Sequence, residues 1–278
     1  MILVVGTDGL IGGTLCRFLA EAGETVVGTS RKQRRDAVFL DLEQPESFAL
    51  PQNVRTAVIC AGIGGLKECA NDPVGTSRIN VEAAVVIAQK IAAAGGSVIA
   101  LSTNLVTDGR QPFATAGESL KPCCEYGRQK ARMEKMLKGP QFACVRLTKV
   151  VETLGPRFAT WKESLLAGRN VSASAELPFS PVPLVEVCVA LAELARNFQS
   201  GTFHISGDCD FSYFDAARRL ASVLGVSESL VHVDKLGGSD LFDPVPNFGT
   251  LGIAAPSDCS RWRFSPSSDT LTGFLTSL

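Results

Sequence analysis

Three groups of residues in this 278-residue chain could do chemistry together. The first is the run Gly6-Thr7-Asp8-Gly9-Leu10-Ile11-Gly12, with a glycine at every third position. Glycines at a tight strand-to-helix turn let a pyrophosphate reach the free N–H groups of the helix, because no side chain blocks the approach. The second is a pair of hydroxyls, Ser102-Thr103, where an apolar run ends. The third is Tyr126-Gly127-Arg128-Gln129-Lys130, in which a phenol and an ammonium four residues apart share one helical face. A phenol of ordinary pKa near 10 becomes a usable proton donor when a nearby cation lowers that value. Each pattern alone is common. Their order along the chain, and the elements that carry them, give them weight.

Those elements alternate. Ile2–Val5 is a short continuous apolar run, as a strand buried on both faces requires. Leu15, Phe18, Leu19 and Ala22 then repeat at helical spacing, and Gly23 ends that helix. Further strands are expected at 24–28, 37–40, 56–60 and 97–101, and a long helix over about 74–94 stops at Gly95-Gly96. Strand and helix alternating every 20 to 30 residues predicts right-handed crossovers and a doubly wound parallel sheet, the α/β class of Rossmann type. Ligands of such sheets lie at the carboxyl ends of the strands. That rim would collect Gly6, Gly9, Leu10, Ile11 and Gly12, then Ser30 and Arg31, Asp41 and Leu42, and Ala61 and Gly62. An NAD site wants an acid at the end of the second strand, whereas a 2′-phosphate wants arginine. Ser30-Arg31 stands there, so NADP is expected ahead of NAD; Lys32, Arg34 and Arg35 read as a solvated basic loop.

Composition narrows the class. Lys and Arg number 27 against 28 Asp and Glu, so no nucleic-acid partner is expected. No apolar run reaches the length of a membrane span, and the first strand starts at residue 2, which points to a cytoplasmic protein with neither membrane segment nor leader. The nine cysteines are scattered and read as free thiols, Cys60 and Cys188 within apolar stretches. Of the two histidines, His204 lies in a strand-like run and reads as structural, so no metal site is expected.

Taken together, Gly6 to Gly12, Ser102-Thr103 and Tyr126 with Lys130 resemble an extended short-chain dehydrogenase/reductase. The run Leu101-Ser-Thr-Asn-Leu-Val-Thr-Asp-Gly109 before Tyr-Gly-Arg-Gln-Lys is similar to the dTDP-4-dehydrorhamnose reductase group, and the likeness extends over most of residues 1–225. The resemblance implies a nucleotide-sugar ketone reduced with NADPH: Tyr126 as general acid, Lys130 as the cation that lowers its pKa and holds the nicotinamide ribose, and Thr103 as the group that aligns the carbonyl. Asn80 matches an asparagine of the family's long helix and joins Tyr126 and Lys130 as an expected cofactor contact. The chain departs from the group at Asn104-Leu105, where Asp-Tyr is usual, and at Lys149, where tryptophan is usual. Asn104 and Lys149 are therefore the expected substrate contacts, with Lys149 either turned to water or facing an anionic group, the former preferred. Asn104-Leu105 lacks the acidic pair a 4,6-dehydratase needs. An NADP-binding regulatory subunit and a sugar epimerase stay open as alternatives, and the partner is a small molecule, with a homodimer allowed for.

The carboxyl-terminal part carries a strand from Val145, a helix over 157–168, an irregular proline-rich crossing at 177–183, an apolar helix at 184–196, a last strand at 202–205, and a helix at 214–224 capped by Ser212 and Asp215. Residues 1–152 with about 185–206 are expected to bind the cofactor. About 153–184 with 207–278 would form a smaller, discontinuous substrate lobe, its last fifty residues loops and short elements that bury Leu236, Leu241, Phe242, Phe248, Trp262 and Phe264.

Overall fold

The structure is a computed structural model that describes residues 1–234, 239–255 and 262–278; Leu236 lies outside them. The expected doubly wound sheet is present. Seven parallel strands, β1 (Ile2–Val5), β2 (Val26–Ser30), β3 (Ala37–Phe39), β4 (Thr56–Ile59), β5 (Ser97–Thr103), β6 (Phe142–Leu147) and β7 (Gly201–Ile205), lie in the order β7-β6-β5-β4-β1-β2-β3. The order reverses between β1 and β4, which opens a crevice at their carboxyl ends. Two strands run further than sequence pattern indicates: β2 reaches Ser30 and β5 reaches Thr103. In both cases polar residues stay in register with a parallel neighbour, Ser30 opposite Phe39 and Thr103 opposite Leu147.

Helices cover both faces. On one, α1 (Leu10–Glu21) and the apolar helix Leu184–Arg196 bury Leu15, Leu19, Leu191 and Leu194 against β1, β4 and β6. On the other, a continuous helix over 73–93, α2, and α3 (Glu125–Met136) bury Ile87, Ile91 and Met133 against Leu3, Val5 and Ala57. A single π-type stretch, Arg78–Ala83, interrupts α2 and carries Asn80 inward. A third core is separate. It gathers Phe158, Leu165, Val171, Phe179, Leu220 and Leu271 from the helices Gly155–Leu166, Tyr213–Val223 and Ser267–Ser277 and from short strand pairs. The proline-rich crossing is not wholly irregular, since Pro178–Phe179 pairs antiparallel with Phe211–Ser212 and Pro181–Val182 pairs with Lys149–Val150. The terminal helix Ser267–Ser277, in a stretch expected to hold loops and short elements, forms because Leu271 and Leu275 recur at i, i+4 and are buried. Trp262 is buried against Phe203, while Leu241, Phe242, Phe248 and Phe264 are half-buried. No described helix is long and apolar enough to cross a membrane.

One buried ion pair ties three of these elements together. Arg146 of β6 and Glu134 of α3 are each 3% exposed and meet in a forked contact of 2.7 and 3.0 Å. Glu134 also accepts the Ser102 hydroxyl of β5 at 2.5 Å. His204 of β7 accepts from Arg146 through Nε2 at 3.3 Å and donates from Nδ1 to the Gly252 carbonyl at 2.7 Å, so it is neutral and structural, with burial holding its pKa down. Glu134→Ala is expected to cost about 3–5 kcal/mol in urea unfolding, because it strands a buried guanidinium. Glu134→Leu with Arg146→Met should recover most of that loss; a single-substitution loss below about 1 kcal/mol would show that the pair does not anchor α3.

Candidate active site

The sharp turn after β1 carries the first group. A Cβ on Gly12 would lie 2.3 Å from the Gly6 carbonyl oxygen, so only glycine lets α1 start this close to the strand. The helix begins at Leu10 with Gly9 as its N-cap, no side-chain cap and no acid in its first turn. Its leading N–H groups thus await an acceptor from outside the chain, the arrangement that suits a pyrophosphate.

Beside this turn runs a groove of about 430 Å³. Gly6, Gly9, Ser30, Arg31, Asp41, Leu42, Ala61 and Gly62 line it, together with Asp8, which sequence reasoning passed over. The Asp8 carboxylate accepts the Ser30 hydroxyl at 2.9 Å and the Arg31 N–H at 3.1 Å, and Arg34 approaches it to 3.6 Å. The Ser30 hydroxyl, one of the groups expected at a 2′-phosphate, is therefore already engaged by an acid, and the exposed Arg34 is ion-paired with Asp8 and Asp36. The exposed Arg31 guanidinium makes no contact with a described residue.

Asn80 does not line that groove. It is fully buried, and its amide is spent on the loop after β4: Oδ1 accepts from Ile63 N–H at 2.7 Å, while Nδ2 donates to the Ile63 carbonyl at 2.9 Å and to Gln129 Oε1 at 2.8 Å. The expected direct contact with a cofactor is replaced by a hold on the backbone that forms the groove wall. Gln129, buried within the Tyr-to-Lys turn, passes that hold to Thr76 at 2.9 Å. A paired side chain on a second helix is what makes Asn80 buried, and no pattern within either helix announces it.

A second cavity, of about 330 Å³, meets the groove at Cys60, Ala61 and Gly62. Thr103, Tyr126 and Lys130 all line it, with Ile11 at its groove end, so the three groups read as distant in sequence do converge. Gly127 makes this convergence sterically feasible, because a Cβ there would sit 2.1 Å from the Leu105 carbonyl oxygen. Cys124 caps α3 through its sulfur, 3.4 Å from Gly127 N–H. The Tyr126 hydroxyl meets no hydrogen-bond partner among the described residues and opens into the cavity. Thr103 Oγ1 accepts from Leu105 N–H at 3.2 Å and lies 3.3 Å from Asn104 Oδ1. Asn104 in turn donates to the Gly249 carbonyl at 2.9 Å, fastening the strand end to the loop that carries Phe248.

The electrostatics correct one expectation. Burial pushes the Tyr126 phenol up, with no lowering from Lys130, and the same burial brings Lys130 down to about 8. Lys130 Nζ donates to the Leu101 carbonyl at 3.0 Å, deep under the cavity floor. Lys149 also departs from the preferred reading, because it lines the same cavity rather than standing clear of it.

Residues 1–236 match the family model described as RmlD substrate binding domain. A probable low-salt glycan biosynthesis reductase of Haloferax volcanii is 25% identical over 253 residues, 85% of this chain and 84% of its own. Methionine adenosyltransferase 2 subunit beta of Rattus norvegicus is 25% identical over 280 residues, 94% of this chain and 80% of its own. The crystal structure of dTDP-4-dehydrorhamnose reductase from Bacillus anthracis in complex with NADP superposes with a TM-score of 0.81 over 99% of this chain and 98% of that one; at 17% identity this shows the fold.

The lowered pKa of Lys130 has a direct readout. Because burial disfavours the ammonium, the side chain is charged below about 8 and neutral above it. In carbon NMR of the ligand-free protein, its Cε resonance is expected to titrate near 8 while exposed lysines titrate near 10.4. Co-titration with the exposed lysines would refute the burial account.

Proposed function

The chain belongs to the RmlD substrate binding domain family, and from that premise and the cavity described above we propose that it is an NADPH-dependent reductase of a keto group on a nucleotide-linked deoxy-sugar or a related carbonyl compound. The observation that carries the reading is the unpartnered Tyr126 hydroxyl in a cavity shared with Thr103 and Lys130 and joined to a groove built for a dinucleotide. The uncapped start of α1 and the close-packed glycine turn fit a pyrophosphate, and the free Arg31 guanidinium fits a 2′-phosphate. Residues 1–152 with about 185–206 would hold the cofactor, and about 153–184 with 207–278 the substrate.

The bound cofactor supplies a hydride; this chain's residues do the rest. Thr103 Oγ1 has a hydrogen to offer a carbonyl oxygen in place of Asn104, which fixes the carbonyl's orientation. Tyr126 holds its proton at neutral pH, as a phenol of ordinary pKa does and as burial reinforces, so a donor is present in the form that reduction requires. An alkoxide is far more basic than a phenolate, and transfer of the Tyr126 proton to it runs downhill. The Lys130 ammonium, charged at pH 7 and lining the same cavity, would hold the nicotinamide ribose rather than act on the phenol. Asn80 acts one step away, as a positioning residue that sets the groove wall at Ile63.

A second reading is favoured by one finding, the 94% of this chain matched by a protein named as a subunit of methionine adenosyltransferase. Turnover separates the two. NADPH oxidation with a panel of nucleotide-linked keto-sugars should fall by about 10²–10⁴-fold in Tyr126→Phe, with NADPH affinity retained. NADPH bound by the wild-type protein, with no oxidation on any of the panel, would assign it as a binding subunit instead.

Asp8 supplies a test of the cofactor. Its charge would face a 2′-phosphate at Ser30 and Arg31, and at about 1 kcal/mol per charge pair near water its removal is worth about fivefold. Asp8→Asn should strengthen NADPH binding by about that factor and leave NADH unchanged or weaker, whereas Arg31→Ala should weaken NADPH far more than NADH. Equal effects on both cofactors in calorimetry would reverse the assignment of this end of the groove.

A further inference from the structure

The cavity beside Tyr126 carries charge of one sign. Its lining includes Lys130 and Lys149 and no Asp or Glu among the described residues. Lys130 is committed to the cavity floor through the Leu101 carbonyl. Lys149 is not. Its backbone is fixed, with its N–H on the Ser180 carbonyl at 3.0 Å and Lys149–Val150 paired with Pro181–Val182. Val150 is buried in the core and Lys149 beside it is half-buried, and both line the cavity. There Lys149 enters no ion pair or side-chain hydrogen bond with any described residue.

The acids that could have neutralised it are engaged elsewhere. Glu152, three residues along, takes the Leu184 N–H at 3.0 and 3.1 Å and so caps the apolar helix 184–196. Asp210 takes Gly249 N–H at 3.0 Å and the Thr250 hydroxyl at 3.1 Å, holding the opposite wall. The neighbouring hydroxyls of Thr148 and Thr153 are spent as well, on Gly207 N–H and the Val150 carbonyl. Tyr213, on the same lining, already carries the Arg157 guanidinium 4.8 Å from its ring centroid. A half-buried ammonium with no ion-pair partner among the described residues, in a cavity whose described lining holds no carboxylate, is free to pair with an anion that a ligand brings.

We propose that Lys149 is a specificity-determining residue that pairs with an anionic group of the substrate, so that this cavity selects carbonyl compounds carrying a carboxylate or a diphosphate opposite Tyr126. The inference rests on the reading of this cavity as the substrate site. The shared chemistry is an oxyanion on an ammonium, and its two sources are a carboxylate on the sugar unit and the diphosphate that links sugar to nucleoside.

The test uses the full chain saturated with NADP and reads binding by calorimetry, not turnover. The probes are UDP-glucose, UDP-glucuronate, inorganic pyrophosphate and free glucuronate, against wild type, Lys149→Met and Lys149→Arg. Methionine keeps the length and apolar stem of the side chain, and an unchanged melting temperature checks the fold. Lys149→Met is expected to weaken its anion by about tenfold and Lys149→Arg to stay within about threefold of wild type, with the wild-type affinity falling as salt rises. A loss confined to UDP-glucuronate and glucuronate assigns the carboxylate, and an equal loss on both sugar nucleotides and pyrophosphate assigns the diphosphate. If neither sugar nucleotide binds but a simple anion does so through Lys149, the anion subsite stands and the nucleotide-sugar reading falls. Lys149→Met binding every probe as wild type does, or no anion binding at all, overturns the proposal.

Discussion

One buried carboxylate sets the geometry on which everything else depends. Glu134 sits one helical turn beyond Lys130 and two beyond Tyr126, and it reaches two neighbouring strands at once, Ser102 on β5 and Arg146 on β6. Ser102 adjoins Thr103. The same contact therefore fixes how far α3 slides along the sheet and where the end of β5 lies, so the phenol, the ammonium and the threonine hydroxyl arrive in one cavity. Burying an ion pair brings little net stability against an apolar substitute, but it penalises every register except the one that satisfies it. Gly127 completes the constraint from the other side, because α3 packs on the Leu105 carbonyl with no room for a methyl group.

Burial is also what sorts the acid from the cation in that cavity. A dry environment disfavours whichever form of a group is charged, so it raises the phenol and lowers the ammonium together. A Coulombic lowering of Tyr126 by Lys130, the effect that spacing on one helix face suggests, is absent: burial acts on the phenol, and the ammonium is drawn to the Leu101 carbonyl. The phenol therefore stays protonated at neutral pH, as it would at its ordinary pKa. Lys130 near 8 keeps a charge at neutral pH that it would lose in mildly alkaline solution.

Much of this was legible in the sequence because it depends on local pattern. The strand–glycine–helix start, the polar ends of β2 and β5 and the Tyr-to-Lys spacing each report a short-range requirement, and each lands at the carboxyl rim of the sheet. What was not legible depends on pairing across the fold. Asp8 reads as a turn residue until Ser30 and Arg31 are found on its carboxylate, 22 and 23 positions away. Asn80 reads as a ligand contact until its amide is seen to be consumed by Ile63 and by Gln129, 49 positions on. Lys149 reads as a surface charge because a two-residue strand gives no pattern from which to choose its face. The helix Ser267–Ser277 escaped because its polar composition hides two buried leucines.

The distribution of the cavity wall bears on how such a chain acquires its own specificity. Gly6, Thr103, Tyr126 and Lys130 all fall within the region shared with the family, whereas Phe242, Pro246, Phe248 and Gly249 close the cavity from beyond residue 236. The polar contacts that hold that late segment include Asn104 to Gly249 from the strand end, Asp210 to Gly249 and Thr250 from the smaller lobe, and Asn247 and Phe248 N–H on the Gly109 carbonyl. Asn104, the residue after the threonine, is thus one of the contacts that fasten this wall to the end of β5. Asparagine suits this task where aspartate does not, because the Gly249 carbonyl needs a donor and a carboxylate has none to give. Asn104 is then a structural contact of this chain's own wall, while Lys149 lines the same cavity with no ion-pair partner among the described residues.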